Sequence, residues 1–295
     1  MENTFTGIEL REIDFVTRFG RNWEALKEIL GIMNAIKKSA GTKLVSYTAE
    51  ATNGLAESPA AGEAIPSTAF TVTEVAHADL TIEKYSKSAT IEDVAKYGAK
   101  IAVEKTDDAF LTELQSTVMG RFYDFLKTGT LTSTETTFQM ALSMAKGLVL
   151  NKFKSMHKSV TNVVAFVNVL DVYEYIGAAN ITTQTAFGIE YLKDFMGYST
   201  IFLLSEEEIP RGKVFATAVE NIDLYYLDPS DSEIEDSLGL KYRTDGDTNL
   251  IGFHAEADYR HATGESFAVM GMALWAEYLD AIANVTVSAG TGTGA

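Results

Sequence analysis

Apolar and polar positions change period several times along the chain, and each change predicts a different element. From Asn22, a candidate helix cap, Trp23, Leu26, Ile29/Leu30 and Met33 fall at helical spacing. They predict a short amphipathic helix that Gly41 breaks. Two strand-like runs follow, 42–49 and 70–85. The second alternates Phe70, Val72, then Leu80, Ile82 against threonines, as a half-exposed ribbon should. Between them lies 50–66, rich in Ala, Gly, Ser and Thr and carrying Pro59 and Pro66. A structureless stretch of that length is uncommon inside a compact domain, so the excursion is predicted to reach a neighbouring subunit.

Thr90-Ile-Glu-Asp93 carries a hydroxyl with a carboxylate three residues on, the signature of a capped helix start. A helix over 91–127 would span about 55 Å at the usual rise. Leu111, Leu114, Val118, Phe122 and Phe125 form its apolar stripe, with Gly98 and Gly120 as candidate bending points and Gly129 ending it. From Thr130 the pattern alternates. A helix over 136–154 precedes a strand at 160–167, a helix over 170–179 and a segment at 191–196. Strands at 200–204, 213–218 and 222–227 follow, the second after the turn Pro210-Arg-Gly212, the third stopped by Asp228-Pro229. Segments 230–236 and 244–249 read as exposed loops, 250–287 as strands returning to a core, and 288–295 as an unpacked tail.

Composition narrows the function. With 46% hydrophobic and 22% charged residues over 295 positions, the chain is globular and long enough for a large core. A net charge of −17 disfavours grip on nucleic-acid phosphates or an anionic membrane. An acidic wall would still suit a container in which packaged DNA slides. There is no cysteine for disulfides or thiolate metal sites. Residues 1–15 lack the apolar block of a signal peptide, and no run is long enough for a membrane helix, so a cytoplasm-like compartment is expected.

Candidate chemistry is sparse. Asp245, Asp247, Asn249 and Glu256 match several ligand positions of a calcium loop, but Leu250 occupies the position that needs Gly for the sharp turn. His77, His157, His254 and His261 are scattered; on a strand His254, Glu256 and Asp258 would share a face, where a polar sheet surface is the default. Gly290-Thr-Gly-Thr-Gly294 lacks the helix of a phosphate-binding loop, and Glu206-Glu-Glu208 precedes a turn. No nucleophile elbow, Walker loop or His-Glu-x-x-His pair is present. No residue is assigned to catalysis, a cofactor or a metal, and no enzyme activity is expected.

Three segments, Gly62-Glu-Ala-Ile-Pro66, Leu80-Thr-Ile-Glu-Lys84-Tyr85-Ser-Lys87 and Thr90-Ile-Glu92, resemble the extended loop and following helix start of tailed-bacteriophage major capsid proteins. Gly212-Lys-Val-Phe-Ala216 with Glu220-Asn-Ile222, and Leu274-Trp-Ala-Glu277, Asp280-Ala-Ile282 and Val285-Thr-Val287, are similar to their closing strands. The order holds over nearly the whole chain. The resemblance implies the Hong Kong ninety-seven-like α+β capsid fold. Its parts would be an N-terminal arm (1–41), an extended β-hairpin loop (42–88), a peripheral domain with a long spine helix (89–130), an α/β axial domain (131–249), return strands to the peripheral domain (250–289) and a flexible tail (290–295). It implies a shell protein forming hexamers and pentamers of an icosahedral head around double-stranded DNA. The site would be the virion, assembled in the host bacterial cytoplasm with a portal and, lacking a long scaffolding segment, a separate scaffolding protein. No cofactor and no membrane are implied. Some relatives crosslink a loop Lys to an Asn; Lys43, Lys84 and Lys87 are present, but 50–66 holds no Lys, which argues against crosslinking. Two other readings stay open: an encapsulin-type shell, and an enzyme on the His254 and His261 face.

Overall fold

The computed structural model describes residues 7–30, 35–38, 45–52, 56–76, 80–177, 184–186, 189–244 and 249–288. In chain order these form helix α1 (Gly7–Leu30), strands β1 (Ala35–Lys37), β2 (Val45–Ala51), β3 (Phe70–Ala76) and β4 (Thr81–Thr90), helix α2 (Ile91–Tyr97), a π-helical turn (Lys100–Lys105) and helix α3 (Thr106–Leu126). Then come β5 (Leu131–Glu135), α4 (Phe138–Ser155), β6 (Val163–Asn168), α5 (Val169–Ile176), β7 (Gln184–Ala186), β8 (Ile189–Lys193), β9 (Thr200–Leu204) and β10 (Lys213–Ala218). The chain continues through β11 (Ile222–Leu227), α6 (Ser232–Leu238), β12 (Ile251–Asp258), β13 (Thr263–Ala276) and β14 (Ala283–Val287).

Helix α3 lies where two sheets meet. The seven-stranded sheet runs β5-β14-β10-β6-β9-β8-β7, with β5 parallel to β14 and β6 parallel to β9. The second sheet is built on β13, which pairs with β4, β12 and β11; β1 adds to β11 in parallel. Gly271 and Met272 each pair with both β4 and β11, so β4 lies along one edge of β13 and β11 along the other. Leu114, Val118 and Phe122 of α3 share a core with Phe166, Phe202 and Phe215 of the first sheet and Phe253, Met270 and Met272 of the second. On the other face of the seven-stranded sheet, Ala141, Leu142, Ala145 and Val149 of α4 pack on Val163, Ala165 and Val167. Strand β6 is therefore buried on both faces, which is why its sequence is an unbroken apolar run rather than an alternation.

Most elements follow the apolar pattern, and four depart from it. The first helix starts at Gly7, well before Asn22, because its inward face is Phe15, Val16, Phe19 and Trp23 together with two charged side chains, Arg11 and Glu12. Phe15 stacks on Phe253 of β12 at 4.1 Å. Glu12 is buried, and its carboxylate accepts the Ala255 N–H at 2.7 Å and faces Arg243 at 3.3 Å. The expected run 70–85 divides into β3, which pairs with β2, and β4, which pairs with β13; His77 lies outside the described residues. The expected continuous helix 91–127 is broken. Thr90 caps α2 as its sequence indicates, accepting the Asp93 N–H at 3.1 Å, but Gly98 then takes φ 81°, a conformation open to glycine at little strain. The π turn follows, while Gly120 stays inside α3. The helix ends at Leu126; Gly129 comes later, where an added Cβ would lie 2.7 Å from the Ile282 backbone oxygen. Finally, 230–236 is exposed as expected but largely helical, as α6 capped by Asp231. Residues 42–44, 245–248 and 289–295, which hold parts of the expected loop, calcium motif and tail, lie outside the described residues.

One ion cluster joins four elements. Asp107 of α3 is 3% exposed and accepts from Arg11 of α1 at 2.7 Å and from Lys87 of β4 at 2.6 Å. Arg11 also donates to Ser266 of β13 at 2.6 Å. Burial by itself would raise the Asp107 pKa, but the hydrogen bonds from Arg11 and Lys87 outweigh it and hold the carboxyl below its ordinary value of 3.8. A depressed folded pKa contributes stability that is present above 3.8 and lost as pH falls through the folded value. Asp107→Ala leaves two cations facing each other and should cost about 3 kcal/mol in chemical denaturation. Asp107→Asn should show a shallower acid loss than the parent over that window.

Close packing at β12 supplies a second test. A Cβ on Gly252 would lie 2.6 Å from Pro229 Cβ and 2.7 Å from Tyr242 Cβ. Gly252→Ala should destabilise by about 1–3 kcal/mol in the same measurement.

Candidate functional site

The residues that could carry chemistry are dispersed or engaged. In the calcium-like motif, the Asn249 side chain donates to Asp228 at 3.2 Å, Leu250 is buried in the core, and Glu256 projects from β12 into solvent. Asp245 and Asp247 lie outside the described residues. His254 and Glu256 do share one side of β12, their nearest atoms 3.7 Å apart, and His254 is 3.4 Å from Glu12. His261 pairs with Asp258 instead; that hydrogen bond raises the His261 pKa and lowers that of Asp258, both at the surface. The cleft beside His254, about 460 Å³, is bordered by Glu12, Tyr242 and Arg243. Its buried carboxylate is already occupied by the Ala255 N–H and Arg243. Among the described residues no group of three or more His, Asp or Glu side chains is placed to hold a metal ion.

What the fold leaves unsatisfied is apolar surface. Strands β2 and β3 form a two-stranded ribbon outside both large sheets, in register from Val45↔Ala76 to Ala51↔Phe70. Tyr47, Ala49, Phe70 and Val72 lie on one face by period two, and Tyr47, Phe70 and Val72 are 64%, 60% and 63% exposed. Beyond the strands the tip is held by its own hydrogen bonds, such as Ala56 N–H to Thr68 at 3.0 Å, and Ile65 stands free. A ribbon with one uncovered apolar face is marginal alone and calls for a partner surface.

Two more surfaces were not apparent from the linear pattern. Helix α2 buries none of its residues, and Ile91, Tyr97 and Ile101 are exposed along it and the π turn. Met140 and Met144 of α4 and Leu170 and Tyr173 of α5 are exposed on the outer side of the second core. The Met140 and Met144 spacing of four, opposite Ala141 and Ala145, was the signal available for the latter.

By sequence the chain matches no family model and no curated protein. By structure it is similar to a Mycobacterium phage Patience chain, with TM-score 0.53 and 11% identity, covering 100% of this chain and 91% of that one. It is similar to the asymmetric unit of the bacteriophage PhiM1 mature capsid at TM-score 0.52 and 6% identity, covering 86% and 85%. The holo-SrpI encapsulin complex from Synechococcus elongatus gives TM-score 0.50 and 10% identity, covering 93% and 90%. The protein has the Hong Kong ninety-seven-like fold of tailed-phage major capsid proteins, an α+β fold in which an extended hairpin, a long helix and two sheets occur in the expected order.

Proposed function

We propose that this protein is the major capsid protein of a tailed bacteriophage, assembling as hexamers and pentamers into the icosahedral shell that encloses its double-stranded DNA. The observation that carries the reading is the uncovered ribbon on a capsid fold. Among the described residues Tyr47, Phe70 and Val72 join neither core, so a neighbouring copy covers them. Head-to-tail contacts of this kind close into rings. Its role is structural and not catalytic, and His254 and His261 belong to polar surface.

The parts take their family roles. Helix α1 is the arm, the ribbon with β4 is the extended loop, α2 and α3 form the spine, the sheet around β13 is peripheral, and the seven-stranded sheet with α4 and α5 is axial. The pairing of β11 with β13, and of β14 with β10, supports counting β11 (inside the expected axial range 131–249) with the peripheral part and β14 (inside the expected return range 250–289) with the axial part. A separate scaffolding protein and a portal complete assembly in the bacterial cytoplasm, and the virion is the final site. The charge of −17 suits a wall that holds DNA without gripping it. An encapsulin-type shell is the second reading, favoured by the likeness to the SrpI complex. Nucleic acid with a portal, or enzyme cargo, inside the particle separates the two.

Val45 and Ala76 are register partners, so a short turn can bridge them across the base of the ribbon. Replacing residues 46–75 by a few Gly and Ser should leave the melting temperature of the subunit unchanged, because neither large core includes ribbon residues. It should abolish particles seen by electron microscopy, since losing one contact per subunit is repeated around every ring. Particles that form and survive heating like the parent would overturn the assembly role.

A further inference from the structure

The two halves of α1 are held by different physics. Residues 15–23 seat Phe15, Val16, Phe19 and Trp23 in the apolar core. Ahead of them Ile8 and Leu10 are exposed, while Arg11 reaches Asp107 and Glu12 reaches β12. Docking of the first half therefore leans on charge, and charge responds to protons where apolar packing does not.

Glu12 enters a socket on β12. Its buried carboxylate accepts the Ala255 N–H at 2.7 Å and lies 3.3 Å from Arg243 Nε. His254 closes the socket, with Nδ1 3.4 Å from Glu12 and Nε2 3.7 Å from Glu256. The ring is partly exposed beside the cleft of about 460 Å³, so solvent protons reach it. Three elements set the charge around it. Helix α1 supplies Glu9 and Glu12, β12 supplies Glu256, and the segment before β12 supplies Lys241 and Arg243. Tyr242 also lines the cleft and stays neutral, because burial pushes its phenol up. Lys241 is already paired with Glu235 of α6 at 3.4 Å, and Arg11, next to Glu12, with Asp107. The balance facing the ring is acidic.

We infer that His254 is a proton-operated clasp: its imidazolium grips Glu12 and seats the first half of α1 on β12, and losing the proton loosens that half while residues 15–23 stay in place. The docked helix gains this ion pair only with the proton on. Docking is therefore strongest in mild acid and weakens as pH rises through the range where histidines lose their charge. The neighbouring contact of Arg11 with Asp107 changes in a separate window, since that carboxyl is held below 3.8. The clasp acts within one chain, so it stands or falls independently of shell assembly.

Hydrogen exchange on the full chain tests it. Amide protection over residues 11–14, corrected for the intrinsic pH dependence of exchange, should be about three-fold higher near pH 5.5 than near pH 7.5. Amides over residues 19–23 are the internal reference and should not respond. His254→Gln should keep the lower protection at both pH values, and His254→Arg, charged throughout, the higher. Glu12→Gln should abolish the response. His261→Gln, which removes the imidazole paired with Asp258, should retain it. Thermal melting checks that each variant folds. If Glu12→Gln does not, the two His254 variants still decide, because that side chain lies partly in solvent. Protection that fails to rise on acidification, a response that survives His254→Gln, or one that disappears with His261→Gln would overturn the clasp.

Discussion

Both sheets depend on one helix. The buried stripe of α3 meets Phe166 and Phe202 on one side and Phe253 and Met270 on the other, so neither sheet has a complete core without it. Phe166 shows the economy of this arrangement: it stacks on Phe202 at 4.9 Å and meets Phe122 edge-on at 5.0 Å, joining sheet to helix through one ring. A core shared in this way favours cooperative folding of the two sheets, and it fixes their relative orientation rigidly enough for distant surfaces to be presented at set angles.

That apolar centre cannot by itself decide where the peripheral elements attach, because apolar burial has little direction. Charged contacts do this at the edge of the core. Asp107 receives Arg11 from α1 and Lys87 from β4, and Glu12 binds the backbone of β12. Lys87 also donates to the Val103 carbonyl at 3.3 Å, inside the π turn where the regular helical ladder is interrupted. The strand that carries the ribbon is thus joined chemically to the segment where the spine departs from α-helical geometry.

Legibility in the sequence follows the same division. Strands 200–204, 213–218 and 222–227 coincide with their apolar runs because local turn residues bound them: Pro210 and Gly212 before one, Asp228-Pro229 after another. The first half of α1 was hidden because Arg11 and Glu12 point inward, and periodicity counts charged residues as outward. Their partners Asp107 and Arg243 lie far along the chain, so no local window contains the compensation. The π turn likewise accepts a hydrogen bond from Lys87, a residue of another element. For the functional surface, the ribbon was visible as alternation with no core to serve. The exposed surface at the start of α2 was not, since its position is set when the Ile91 N–H bonds the distant Ala262 carbonyl at 3.1 Å and β4 aligns with β13.

Charge then shapes how such subunits can meet. Copies carrying −17 repel one another at long range, and the repulsion is screened beyond about 8 Å at physiological ionic strength. Association therefore relies on short-range apolar contact at surfaces where like charge is not concentrated. Around Ile91 and Tyr97 the acidic excess is locally cancelled, Lys96, Lys100 and Lys105 balancing Glu92, Asp93 and Glu104. A single such contact is weak, because exposed ion pairs contribute little and side chains lose freedom on binding. Repeated around a closed ring, weak contacts become collectively strong while each remains individually reversible. Errors in placement can then be undone before the ring closes, a property that a tightly binding hydrophobic arm would forfeit.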